Sequence, residues 1–303
     1  MEKILLIGAS GFMGGHLAHA LLQEGYAVRC LARTPAKLSA LAQAGCEILA
    51  GDITDAAAVR RAVEGVRAVY ISIHTLSPQP GGGGQRFMAI EQIGVRNVLA
   101  ACQAEGVQQV VYVTSLGTAA DASSEWLRER WHTEQLLVSS GLAATVIRPG
   151  FVIGAGAGGF TMLASQARRP IAFTLGGNRY PMRAIALDDL LYYLVGVLDE
   201  PRAANQVYDV GNDETVTNNQ LLDAVAGILG RRPPFKVRIP RRLLRVVAPL
   251  LERLAKLPAG AFQGFLDSQG SDGIGNPTPI RALLPRPLLT LQQAIKRALE
   301  VAP

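Results

Sequence analysis

The sequence predicts an α/β protein, a doubly wound parallel sheet with a smaller, mainly C-terminal lobe. Three observations carry this. Short Val/Ile-rich runs alternate with longer helical runs through the first half of the chain. The helical runs end near glycine, at Gly25, Gly45, Gly65, Gly106 and Gly141. A glycine-rich turn lies directly between the first apolar run and the first helical one. Repeated strand–helix–strand units imply parallel strands with helices on both faces.

Residues 4–7 read as a buried strand, followed by a helix over 13–24. Strands are expected at 27–31, 47–50, 68–73, 109–114 and 144–148, and helices at 36–44, 55–64, 87–105 and 125–140. The Pro/Gly run at 78–84 is read as a flexible loop. It follows the fourth strand, at the edge where ligands of such sheets bind, which makes it a candidate lid. After Pro149 the rhythm changes. Residues 154–159 form a second glycine-rich loop, 184–186 and 206–210 read as strands, and 220–229 and 291–299 as helices. Asp188-Asp189 reads as a helix start capped by aspartate.

The composition sets limits. A chain of 303 residues has room for a substantial core, in one large domain or two smaller ones. It is 49% hydrophobic but only 6% aromatic, as expected of an Ala/Leu/Val-rich α/β enzyme. The formal charge of +6 fits a solvated basic surface or an electropositive cleft for an anion. Arginines scattered in pairs, without interleaved aromatics, argue against nucleic acid. Cys30, Cys46 and Cys102 lack ligand spacing, so no metal site is expected. Their odd number suits the reduced thiols of a cytoplasmic protein. The opening run lacks signal-peptide logic, and no apolar run reaches the length of a membrane span. The helix expected around 241–257 is basic and amphipathic. It is read first as packed on the smaller lobe and second as a peripheral membrane contact.

The chemistry begins at the turn Gly8-Ala9-Ser10-Gly11-Phe12-Met13-Gly14, with glycines spaced by three and three. Between a strand and a helix, this spacing lets a diphosphate approach the backbone, with the helix N-terminus supplying amides. The expected architecture is therefore of Rossmann type. Its nucleotide domain comprises residues 1–153 and 180–212, and a substrate or partner lobe comprises 154–179 and 213–303. The second strand ends on Arg33, with Lys37 one turn on and no acidic residue there to repel a 2′-phosphate. NADP(H) is therefore expected over NAD(H). Asp52 after the third strand is read as an adenine contact beside Ile53, with helix capping as the alternative and Asp55 as the better cap.

Together with Ile73-His74, Val111-Tyr112-Val113-Thr114-Ser115, Ile147-Arg148-Pro149-Gly150 and Ile185-Ala186-Leu187-Asp188-Asp189-Leu190, these residues resemble the atypical, extended short-chain dehydrogenase/reductases. The resemblance is to the NmrA-like proteins and the Rossmann-type accessory subunit of respiratory complex I. It covers nearly the whole chain. It implies that Ile73, His74, Thr114 and Ser115 border the cofactor. It also implies that Pro149, Gly150, Phe151 and Val152 lie against the nicotinamide.

The family's Tyr-x-x-x-Lys pair is replaced. Counting back from Glu134 puts Arg130 at the lysine position and Trp126 at the tyrosine position. Arg130 has donors for ribose hydroxyls, but an indole N–H cannot exchange a proton usefully. His74, Ser115, Arg130 and His132 are the remaining candidate catalytic groups. Three readings stay open: a reductase of a small apolar acceptor such as a quinone or activated carbonyl or alkene, a non-catalytic NADPH-binding sensor or assembly factor, and a structural subunit of a larger complex. Phe151, Phe160, Met162 and Met182 are expected to line an apolar acceptor pocket.

Overall fold

The computed structural model describes residues 2–73, 87–175, 180–254, 261–268 and 273–301. The run at 78–84 and His74 lie outside them. Strands β1 (Lys3–Ile7), β2 (Ala27–Ala32), β3 (Glu47–Ala50), β4 (Ala68–Ile71), β5 (Gln109–Val113) and β6 (Ala143–Pro149) come first. They are followed by β7 (Phe151–Ile153), β8 (Ile171–Leu175), β9 (Met182–Ala186), β10 (Gln206–Val210), β11 (Thr215–Val216) and β12 (Phe235–Ile239). Among the described residues the main sheet runs β10-β6-β5-β4-β1-β2-β3. Every neighbouring pair in it is parallel.

The strands are apolar on both faces because both faces are covered. Ile4 and Leu6 enter one core, while Leu5 and Ile7 enter the other, following the two-residue period of a strand. The first core is closed by helices α1 (Phe12–Gln23) and, later in the chain, α7 (Leu187–Gly196), through Leu17, Leu21, Leu190 and Leu194. Between α1 and α7 lie α2 (Ser39–Gln43), α3 (Ala56–Val63), α4 (Phe87–Glu105), α5 (Glu125–Val138) and α6 (Gly158–Ala167). Helices α3, α4 and α5 close the second core through Val59, Val63, Val95, Val98 and Leu137.

A third core builds the lobe. It gathers Ile153, Phe160, Leu163, Ala184, Leu221, Val225 and Ile295 around β7, β9 and β11, with helix α8 (Asn218–Ile228). Strands β8 and β12 form a separate parallel pair. The remaining helices are α9 (Arg241–Leu254), α10 (Ala261–Ser268), α11 (Thr278–Leu283) and α12 (Leu291–Glu300). The expected division put α11 with the lobe, but its Ile280 is buried in the first core of the main sheet.

The helix expected at 36–44 is a 3₁₀ turn, Pro35–Leu38, followed by the short α2. Ala186, not an aspartate, caps α7. Asp189 is instead buried, accepting the Leu289 amide at 2.9 Å and facing Arg286 Nε at 3.2 Å. Asp188 pairs with Arg297 at 2.7 Å. The two carboxylates thus tie the C-terminal segment to the start of α7. The three cysteines are buried and form no disulfide. Burial pushes the Cys102 thiol up to about 12.

Candidate functional site

The order of the main sheet reverses between β1 and β4, where ligands of doubly wound sheets bind beyond the strand ends. Gly8 leaves β1 at φ +102°, and a Cβ there would stand 2.2 Å from the Ser72 carbonyl oxygen after β4. A Cβ on Gly14 would stand 2.2 Å from the Gly8 oxygen. Glycine at both positions lets α1 start directly on the end of β1. Gly11 caps α1 without a side chain, and the first turn carries no acidic residue. The first-turn amides therefore face the crevice without a competing carboxylate. A backbone cradle that Cβ atoms would fill fits a diphosphate.

Ser10 and Gly11 are exposed on this turn, while Phe12 and Met13 are half-buried. Phe12 also packs on the core of the lobe, and a Cβ on Gly154 would lie 3.2 Å from its ring. The phosphate turn and the second glycine loop are therefore one packed unit.

Arg33 and Lys37 are both exposed at the β2 edge, Lys37 on the 3₁₀ turn. The expectation that no carboxylate stands near Arg33 needs correction. Asp52 Oδ2 lies 3.9 Å from Arg33 Nε. The register explains it: Ala32 pairs with Ala50, so residues just beyond the ends of β2 and β3 share one edge. Asp52 Oδ1 accepts from the Thr54 amide at 2.8 Å and the Thr54 hydroxyl at 2.7 Å. Asp55 caps α3, accepting from the amides of Ala57 and Ala58. Ile53 is buried against Gly94 of α4 and its carbonyl accepts from Asn97 at 3.0 Å.

Around the ends of β4 and β5 the structure assembles a buried charge cluster. Arg130 is 2% exposed. It donates to the Ile73 oxygen at 3.1 Å and the Val113 oxygen at 3.4 Å, and faces Glu91 at 3.6 Å. Tyr112 donates its hydroxyl to Glu91. The Trp126 ring lies 4.8 Å from the Arg130 guanidinium, within cation–π range. Arg130 thus clamps the two strand ends that border the crevice. Burial pushes the Tyr112 phenol far above its ordinary value, and its hydroxyl is committed to Glu91. The sequence reading missed Glu91 and Tyr112 as partners. Glu91 falls on one helical stripe with Val95, Val98 and Cys102, and a carboxylate on an apolar stripe marks a buried ion pair.

Thr114 and Ser115 follow β5. The Leu116 amide donates to the Pro149 oxygen at 3.0 Å, and the Gly150 amide to the Val210 oxygen at 2.8 Å. These bonds lay residues 114–116 beside Pro149-Gly150. Ser115 Oγ is buried with no hydrogen-bond partner among the described residues. Thr118 donates to the Ser115 carbonyl at 2.8 Å. Phe151 and Val152 are half-buried on β7, at the junction of the main sheet with the lobe. The structure therefore brings Ser115, Arg130 and Gly150 to one end of the sheet. His132 is exposed on α5, two residues round from buried Arg130 and Glu134, and is not part of this group. The expected pocket also changes. Phe160 belongs to the core of the lobe, and Met162 is 52% exposed on its outer surface.

Glu134 is wholly buried and bidentately bound by Arg148, with Nε at 3.0 and 3.1 Å. Burial pushes its carboxyl above the ordinary value, opposed by Arg148. Replacing Arg148 by methionine should cost about 3–5 kcal/mol at neutral pH, because it strands a buried carboxylate. The sign with pH follows. Unpaired Glu134 has a folded pKa above its unfolded value, so the deficit shrinks toward the unfolded pKa near about 4.3 and grows as pH rises through the folded pKa. Urea melts of Arg148→Met at acidic and alkaline pH check this. A deficit that grew toward acid would reject it.

Comparison with known proteins agrees with this geometry. Residues 8–174 match the family model described as NAD(P)H-binding. Sterol demethylase protein B of Methylococcus capsulatus is 26% identical over 277 residues, 83% of this chain and 82% of that protein. The NAD(P)H azoreductase of Xenophilus azovorans is 25% identical over 229 residues, 75% of this chain and 74% of that one. The Escherichia coli NADPH-dependent quinone oxidoreductase QOR2, solved with NADPH, superposes with a TM-score of 0.72 at 20% identity, covering 96% of this chain and 98% of that chain. With more than half its length matched, the chain belongs to the NAD(P)H-binding family and has the fold of the atypical short-chain dehydrogenase/reductases.

Proposed function

We propose that this protein is an NADP(H)-dependent reductase of a small apolar acceptor, a quinone or an activated carbonyl or alkene. The observation that carries the reading is the glycine cradle at the sheet switch point, with Arg33 and Lys37 on the adjoining edge. Gly8–Gly14 hold the diphosphate on backbone amides. Arg33 takes the 2′-phosphate, Asp52 and Ile53 flank the adenine, and Pro149–Val152 support the nicotinamide end. A bound nicotinamide supplies the hydride. Arg130 acts as a positioning residue by holding the carbonyls of Ile73 and Val113 in place. Ser115, whose hydroxyl is buried without a partner among the described residues, is the candidate to hydrogen-bond the acceptor oxygen and pass it a proton drawn from water. His74, outside the described residues, is the other candidate that the sequence offers.

A second reading, NADPH binding without turnover as a sensor or assembly factor, is favoured by one observation. Trp126 occupies the tyrosine position and packs on an Arg130 already committed to carbonyls and to Glu91. Steady-state NADPH oxidation with a panel of quinones, azo dyes and enones separates the two. The reductase reading expects turnover with at least one acceptor and a loss of about a hundredfold in kcat for Ser115→Ala. Tight NADPH binding without turnover on any acceptor would transfer the assignment to the second reading.

A further inference from the structure

We infer that α9 docks the protein onto an anionic lipid surface. The helix is turned inside out. Leu243, Val246, Leu250 and Leu254 are 60%, 79%, 60% and 72% exposed, and Val247 is exposed beside them. Their spacing of three and four residues places all five within an arc of about 100°. The opposite face meets the protein through polar groups. Glu252 is buried and accepts the Phe262 amide at 2.8 Å. Arg245 pairs with Asp267 of α10 at 2.5 Å. The first expectation for this helix was packing on the lobe; it packs on α10 instead. The side that packs carries Glu252, Arg245 and the buried Ala248, and the exposed apolar stripe faces outward.

Charge selects the occupant. Residues 231–251 contain Arg and Lys at seven positions and no Asp or Glu; Lys236 pairs with Asp223 and Arg245 with Asp267, while Arg232 and Arg242 are exposed. Arg242 and Arg253, both exposed, fall along one border of the apolar stripe. An exposed aliphatic stripe rimmed by arginine is the composition of a helix lying in a bilayer interface, where apolar burial adds to attraction by anionic headgroups. A second copy of this chain fits poorly, because a two-fold contact through α9 would bring two basic segments together. Phe235, 72% exposed, opens the strand that leads into the helix. No helix among the described residues is long and apolar enough to cross a membrane, so the attachment is peripheral.

Docking here is independent of the reductase reading. The two meet at α10, which packs between α9 and α5 and whose Gly264 oxygen accepts from Ser124 Oγ at 3.1 Å. Ser124 stands two residues before Trp126.

The test is co-sedimentation of the full chain with vesicles of phosphatidylcholine alone or with about one-third phosphatidylglycerol. The inference expects binding to the anionic vesicles, weak binding to the neutral ones, and release by salt. Val246→Asp with Leu250→Asp should reduce binding at least tenfold, and Arg242→Glu should reduce it severalfold. Both variants should keep the wild-type circular dichroism and NADPH affinity, since these side chains are exposed. No binding to anionic vesicles, or equal binding by the aspartate variant, overturns the inference. A dimer in sedimentation velocity that the same two aspartates dissolve, with no lipid binding, would give the stripe to a second copy and also overturn it.

Discussion

Gly14→Ala should lower NADPH affinity by at least about a hundredfold. The new Cβ would stand 2.2 Å from the Gly8 carbonyl oxygen, far inside contact distance. Neither partner can yield cheaply. Gly8 is fixed by its own approach to Ser72, and Gly14 by the first turn of α1. The helix must move off the strand, and its amides then no longer converge on the phosphates. A fall of a hundredfold corresponds to about 2.7 kcal/mol, roughly one charge-assisted hydrogen bond. Gly11→Ala keeps the result interpretable should Gly14→Ala misfold. Its Cβ would lie 3.3 Å from the Gly8 oxygen, a contact the turn can absorb. It should fold normally yet bind NADPH about tenfold more weakly, because the methyl group occupies exposed space over the cradle. Fluorescence titration with NADPH, alongside circular dichroism, reads both variants. Unchanged affinity in a folded Gly14→Ala protein would remove the cradle from the account.

Arg33→Asp should weaken NADPH by about a hundredfold and leave NADH within about threefold. The guanidinium is exposed at the β2 edge, where a 2′-phosphate would gain charge-assisted, bidentate bonds. The variant also places a second carboxylate beside Asp52, already 3.9 Å from Arg33 Nε, so repulsion adds to the lost contact. The effect must appear in the ratio of the two nucleotides. Equal loss for both would mean that Arg33 supports the turn instead of reading the phosphate. The measurement is a pair of dissociation constants for each protein at fixed ionic strength, since the interaction is screened by salt.

The central strands of the main sheet, β1, β4 and β5, were legible because they are buried on both faces. Nothing at β3, α4 or β10 competes with the local pattern, and the bounds read from the sequence at 47–50, 87–105 and 206–210 are those of the structure. The glycine turn was legible for the same reason, since backbone chemistry shows directly as spacing. The Arg33–Asp52 approach was not, because it depends on the register between β2 and β3. The Glu91–Tyr112–Arg130 cluster joins α4, β5 and α5, and no local window contains it. Asp189 looked like a cap because it opens a helix, yet its partners Arg286 and Leu289 lie about a hundred residues away in sequence. Helix α9 showed its amphipathicity plainly. Which face would point outward was set by Glu252 and Asp267, and by the polar groups that bury one side.

The central claim is that a backbone cradle and one basic edge make this a site for NADP(H). Isothermal titration of the folded wild-type chain with NADPH and NADH tests it most directly. The account predicts one site per chain and NADPH bound at least tenfold more tightly than NADH. Absence of heat with either nucleotide, or NADH bound as tightly as NADPH, would contradict it.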